Sequence, residues 1–104
     1  MLRVNVPNQL FESIKNGNVT ALLRRQSGGL SQVQIGQQIC IQSLESHQQI
    51  FVKVTSVTKY ANSSSAIVNI GYANLIADCE EAIVRQLYST VFTNQEVIGI
   101  RFTL

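Results

Sequence analysis

The sequence predicts an α+β fold, a small, partly open β-barrel of about five strands with two packed helices. Three observations predict it. Apolar alternation marks strands near both ends and in the middle of the chain, two other segments carry helical spacing, and the connections are short. At 104 residues with 45% apolar side chains, the chain suits one domain, residues 1–104, with a single modest core.

Leu2-Arg3-Val4-Asn5-Val6 alternates apolar with polar and reads as a half-buried strand that turns Arg3 and Asn5 outward. Pro7 suits a first helical turn, where its missing N–H would have no partner anyway. Leu10, Phe11 and Ile14 then recur at helical spacing, and Gly17 offers the left-handed stop. Residues 19–25 form the second strand and end in Arg24-Arg25. Gln26-Ser27-Gly28-Gly29-Leu30 reads as a flexible loop because paired glycines lose the most entropy on ordering.

Residues 38–44 and 48–60 predict a hairpin around Glu45-Ser46-His47. Ile50, Val52 and Val54 share one face of its second arm, but Val57 is out of phase, so a bulge near Thr55-Ser56 is expected. Asn62-Ser63-Ser64-Ser65 marks a loop, and Ala66–Ala77 reads as irregular or short helical structure. Asp78 with Glu81 forms a capping-box pattern that would start a helix through Ala82, Ile83, Leu87 and Tyr88. Residues 97–104 alternate as a last strand, with Ile98, Ile100, Phe102 and Leu104 inward and Arg101 outward.

Charged residues make up only 13% of the chain, and Gln, Asn, Ser and Thr supply the polar surface. The net charge of +2 permits an anionic partner without demanding one. No apolar run reaches membrane-spanning length and no leader pattern opens the chain, so the expected location is cytoplasmic, with no membrane partner. Cys40 and Cys79 are then expected as free thiols. With one His and two Cys in unrelated contexts, no metal ligand set and no cofactor are expected.

Gly17-Asn18-Val19-Thr20-Ala21-Leu22-Leu23-Arg24, placed between a short amphipathic helix and a strand, resembles the Gly-x-Lys-x-x-Glu-x-Arg signature of ASCH domains, a branch of the PUA-like folds. Gly17 and Arg24 hold the first and last columns, while Val19 and Leu22 stand in the Lys and Glu columns. Val33-Gln34-Ile35-Gly36-Gln37-Gln38-Ile39 resembles the family's Val-Gly-Asp-x-Ile turn, with Gln37 at the acid. Leu87-Tyr88 resembles its Leu-Tyr helix end.

The resemblance implies an RNA-related role. For some small bacterial members it implies an amidohydrolase acting on N4-acetylcytidine, with a Lys, a Thr nucleophile in the Glu column and a later Glu base. Here those first two columns are hydrocarbon and offer no lone pair. Between Glu45 and Asp78 there is no carboxylate to serve as the base. Lys15 and Thr20 are the displaced alternatives. Lys15 in a last helical turn also simply complements the helix dipole, and Thr20 is an ordinary strand former.

Arg24 and Arg25 are the leading binding candidates. As strand neighbours they face opposite ways, so one can reach a cleft and fork onto a phosphate or stack on a base. The plainer alternatives are a solvated arginine or an ion pair with Glu12 or Glu45. Arg3, Lys53, Lys59, Arg85 and Arg101 are either a basic face or scattered solubilising charge. Tyr60 and Tyr72 offer stacking surfaces for single-stranded bases, or they cover the barrel end. His47 reads as a turn residue. The sequence thus points first to a non-catalytic module binding RNA, a nucleotide or a nucleoside near Arg24. The alternatives are a divergent amidohydrolase with relocated groups and a homodimer that pairs strand edges.

Overall fold

The computed structural model describes residues 1–26 and 32–104. The loop expected at Ser27–Leu30 lies outside them. In chain order the elements are β1 (Arg3–Val6), α1 (Asn8–Lys15), β2 (Ala21–Arg25), β3 (Gln38–Ser43), β4 (Gln49–Tyr60), α2 (Ser63–Ile70), a 3-10 turn at Tyr72–Asn74, α3 (Glu81–Val91) and β5 (Val97–Thr103). The strands form one sheet ordered β1-β3-β4-β5-β2, parallel only between β1 and β3. Three α-helices are present where the sequence suggested two.

The sheet curls around a core formed by side chains of its inner face. Val4, Val6, Leu22, Ile39, Ile41, Val52, Val54, Ile98, Ile100 and Phe102 meet Phe11 and Ile14 of α1 there. The outer face is covered on its β2–β5 side. Ala21, Leu23 and Val97 pack there against Ala66, Ile67 and Ile70 of α2 and Val84 and Tyr88 of α3. β5 is therefore buried on both faces. Leu104, expected inside, lies past the end of the pairing and is 63% exposed.

The β4 irregularity falls between Val54 and Ser56 and returns Val57 to the inner face opposite Ile100. Gly17 (φ +81°) ends α1, and its N–H donates to the Ile14 carbonyl at 3.0 Å. His47 (φ 62°) turns the hairpin, as expected of it. The two helix starts on the C-terminal side differ from expectation. Asn62 is an N-cap, its Oδ1 accepting from the Ser65 N–H at 2.8 Å, so the serines expected as a loop form the first turn of α2.

Asp78, expected as the cap of α3, instead has φ 56° and lies before the helix, whose first residue is Glu81. The N-cap is Glu80, with no side-chain cap bond. The left-handed turn at Asp78 leads the chain into the helix, so the acids of the expected capping box never close on it. Cys79, expected in the first helical turn, precedes the helix for the same reason. Both cysteines are free.

Candidate functional site

β2 is an edge strand in the sheet order, and its free side is met by the chain after the 3-10 turn. The Thr20 N–H donates to the Asn74 carbonyl at 3.0 Å, while the Thr20 carbonyl accepts from the Phe102 N–H at 3.0 Å. Beyond that contact, Ile76–Cys79 faces α1. A groove of about 410 Å³ opens between them, walled by Leu10 and Ser13 of α1, by Ile76, Ala77, Asp78 and Cys79, and by Leu87 and Tyr88 of α3; Asp78 is its one acidic side chain. Its lining is mostly apolar, as small-molecule sites are.

Arg24 lies near the C-terminal end of β2, and its side chain is half-buried. Its Nη1 donates to the Leu23 carbonyl at 2.7 Å. Burial pushes the guanidinium below its ordinary pKa, and the neighbouring Tyr88 phenol partly offsets that. Burial likewise pushes the Tyr88 phenol up, with the Arg24 charge acting the other way. The guanidinium and the Tyr88 phenol are thus neighbours, and Tyr88 is one wall of the groove.

No acid answers this charge. All six Asp and Glu residues lie among the described residues, and the one ion pair found there joins Arg85 to Glu81 at 3.8 Å, one helical turn apart. Glu12 and Glu45, the acids considered as partners for Arg24, do not pair with it. Glu45 Oε2 instead accepts from the Asn8 N–H at 2.7 Å. Arg24 is thus a partly desolvated cation held by a single carbonyl among the described residues.

The sheet register brings a second cation to the same face. Arg24 pairs with Ile98, and Ile98 with Lys59, so the two cations flank one buried isoleucine in a single row. Arg25 faces the other way, in a row with Val97 and Tyr60. The Gln26 amide ties that end of the sheet together by donating to the carbonyls of Val97 at 3.2 Å and Tyr60 at 3.4 Å. Arg25 and Gln26 line a shallow groove with Gln95 and Glu96.

Tyr60 donates its hydroxyl to Asn69 Oδ1 at 2.6 Å and lines an open, polar depression with Asn62, Ser64, Ser65 and Val68. Tyr72 is exposed on the 3-10 turn, and Lys15 is exposed in the last turn of α1. The candidate residues thus divide among several places. Arg24 neighbours Tyr88, a wall of the groove, without lining the groove itself, and Arg25 and Tyr60 lie on the opposite sheet face. Thr20 lines a small hollow with Ile14, Gly17, Val19 and Phe102.

Val19 and Leu22 are each 1% exposed and belong to the core cluster. The columns that the family signature reserves for polar groups are here part of the packed interior. Sequence reasoning missed Tyr88 as a wall of the groove and Lys59 as a companion to Arg24. The first was read only as a helix residue. The second becomes visible only when the β4–β5 register is known.

No protein-family model matches the sequence, and no curated protein matches it. Solved structures do. The hypothetical protein PH0355 is similar with a TM-score of 0.77 at 19% identity, over 97% of this chain and 95% of that one. The ASCH protein from Zymomonas mobilis is similar with a TM-score of 0.74 at 13% identity; 98% of this chain aligns, and it spans 66% of that protein. The ASCH domain from Lactobacillus crispatus gives a TM-score of 0.66 at 15% identity, over 98% of this chain and 79% of that one. The chain has the ASCH fold.

Proposed function

We propose that this ASCH-fold chain is a non-catalytic module that binds a nucleotide, or a nucleotide unit of RNA, in the groove beside Arg24. The observation that carries the reading is the half-buried Arg24 guanidinium, which no carboxylate of the chain neutralises. A phosphate accepts two parallel N–H bonds from such a fork, and partial desolvation strengthens them. The apolar wall of Leu10, Ile76 and Tyr88 suits the flat face of a base or sugar. The RNA-related role that the sequence's resemblance to ASCH domains implies makes such a ligand the first choice.

Catalysis is the weaker reading for this chain. Val19 and Leu22 supply no nucleophile, general base or carbonyl-polarising group, and both are packed in the core. Titrating the protein with nucleoside monophosphates by calorimetry tests binding. The reading expects saturable binding that Arg24→Gln weakens at least about tenfold, the loss of one charge-assisted contact. Absence of binding to every monophosphate, or unaltered affinity in the variant, overturns it.

A further inference from the structure

We propose that the bare half of the outer sheet face is a second binding surface, a stacking platform for single-stranded nucleic acid centred on Phe51. α2 and α3 cover the β2–β5 side of that face and leave the β1–β3–β4 side open. Phe51 stands there 48% exposed, in one cross-strand row with Cys40 and Arg3. Lys53 is two residues along β4 on the same face, about 7 Å away, and Arg3 is two strands across, about 10 Å. The amides of Gln42 and Gln49, bonded to each other at 2.9 Å, form the row on the far side of Phe51.

The charges of the molecule are segregated by element. Six of the eight Lys and Arg residues lie on strands (Arg3, Arg24, Arg25, Lys53, Lys59 and Arg101), and none of the six acids does. The Phe51 face accordingly has cations and amides on its strands with no acid among them. A second copy is poorly matched to it, because a twofold pairing would set Arg3 and Lys53 against the same two cations. A single strand matches both features: unpaired bases stack on an aromatic ring, and phosphates meet the flanking cations. The exposed ring is one isolated aromatic face, which suits an unpaired base and not the edge-on bases of a duplex. The platform is on the other side of the sheet from Arg24 and is independent of the groove.

The test is fluorescence anisotropy with labelled uridine and deoxythymidine oligomers of about ten nucleotides, at about 50 and 150 mM salt. Phe51→Ala and Phe51→Leu are both expected to weaken binding, roughly five- to a hundredfold, because neither keeps an aromatic face. Leu retains bulk on the strand, so a loss in both variants is not a folding defect. Lys53→Gln is expected to flatten the log–log salt slope by about 0.7, one phosphate contact on a single strand.

Equal affinity in wild type and both Phe51 variants overturns the platform, as does a wild type that binds neither oligomer. Full displacement of the oligomer by a nucleoside monophosphate moves the contact to the groove and overturns it too. A dimer in light scattering that Phe51→Ala dissolves, with oligomer affinity unchanged, assigns the face to a second copy instead. The monophosphate titration reads the groove alone, so the two proposals fail separately.

Discussion

Glu45, in the β3–β4 turn, caps the N-terminus of α1 by accepting the Asn8 N–H at 2.7 Å. α1 has no cap of its own, since Pro7 at the N-cap offers no side-chain acceptor. Asn8 is also held through its side chain, whose Oδ1 accepts from the buried Ser43 hydroxyl at 2.9 Å. A hairpin far along the sequence thus fixes the helix that forms one wall of the groove.

Replacing Glu45 by Ala is therefore expected to lower stability by about 0.5–2 kcal/mol, the usual range for a lost N-cap. Chemical denaturation checks it, and the change should appear in the midpoint with little change in slope. Glu45→Asp, too short to reach from the same turn, should fall between the two.

Ile70 of α2 and the Tyr60 ring both crowd the sheet at Gly99. A Cβ added there would stand 2.8 Å from both Ile70 Cδ1 and Tyr60 Cε2. The isoleucine tip can yield, but the Tyr60 hydroxyl is bonded to Asn69, which restricts the ring. Gly99→Ala is expected to cost about 1–3 kcal/mol by overpacking, read as a fall in Tm. A neutral Gly99→Ala would show that the ring moves freely.

Tyr88 gives the fold a pH dependence of stated sign. Its folded-state pKa is raised, chiefly by burial. Its contribution to stability is therefore full below the ordinary phenol pKa of about 10 and is lost as pH climbs through the raised value. Tm should fall from about pH 10 upward, and Tyr88→Phe should flatten that fall. Binding of a nucleoside monophosphate should weaken as pH falls through the phosphate's second pKa of about 6 and be level from about pH 7.5 to 8.5.

Leu22 is core in this chain. Leu22→Glu would place an unpaired carboxylate among Ile100, Val57 and Ile14, and is expected to cost about 3–5 kcal/mol. Restoring the signature residue should thus unfold the protein more readily and give no hydrolysis of N4-acetylcytidine. Turnover by the wild-type chain would contradict the non-catalytic reading.

Local patterns carried much of the fold. The phase slip at Val57 announced the bulge, Gly17 announced the end of α1, and the turn around Glu45-Ser46-His47 announced the hairpin. The failures have physical causes. Asn62 caps α2 through a bond to Ser65, but a run of serines resembles a loop whenever the following helix is short. The Asp78 pattern matched a capping box, yet a left-handed turn at Asp78 separates it from α3. Propensity cannot see that, because one residue in the left-handed region leaves no mark in the apolar spacing.

The groove was half legible. Arg24 stood out by its column in the signature. Tyr88 did not, because its place beside Arg24 follows from α3 packing against β2, a contact between distant parts of the chain. The row of Arg24, Ile98 and Lys59 was hidden for a related reason. It depends on the bulge, which shifts every later β4 residue by one position against β5.

Calorimetric titration of wild type and Arg24→Gln with nucleoside monophosphates tests the central claim most directly. Saturable binding to the wild type, weakened at least about tenfold in a variant of unchanged Tm, is the predicted result. Equal affinity in the two proteins, or no heat of binding in either, would contradict the claim that the acid-free Arg24 holds the ligand.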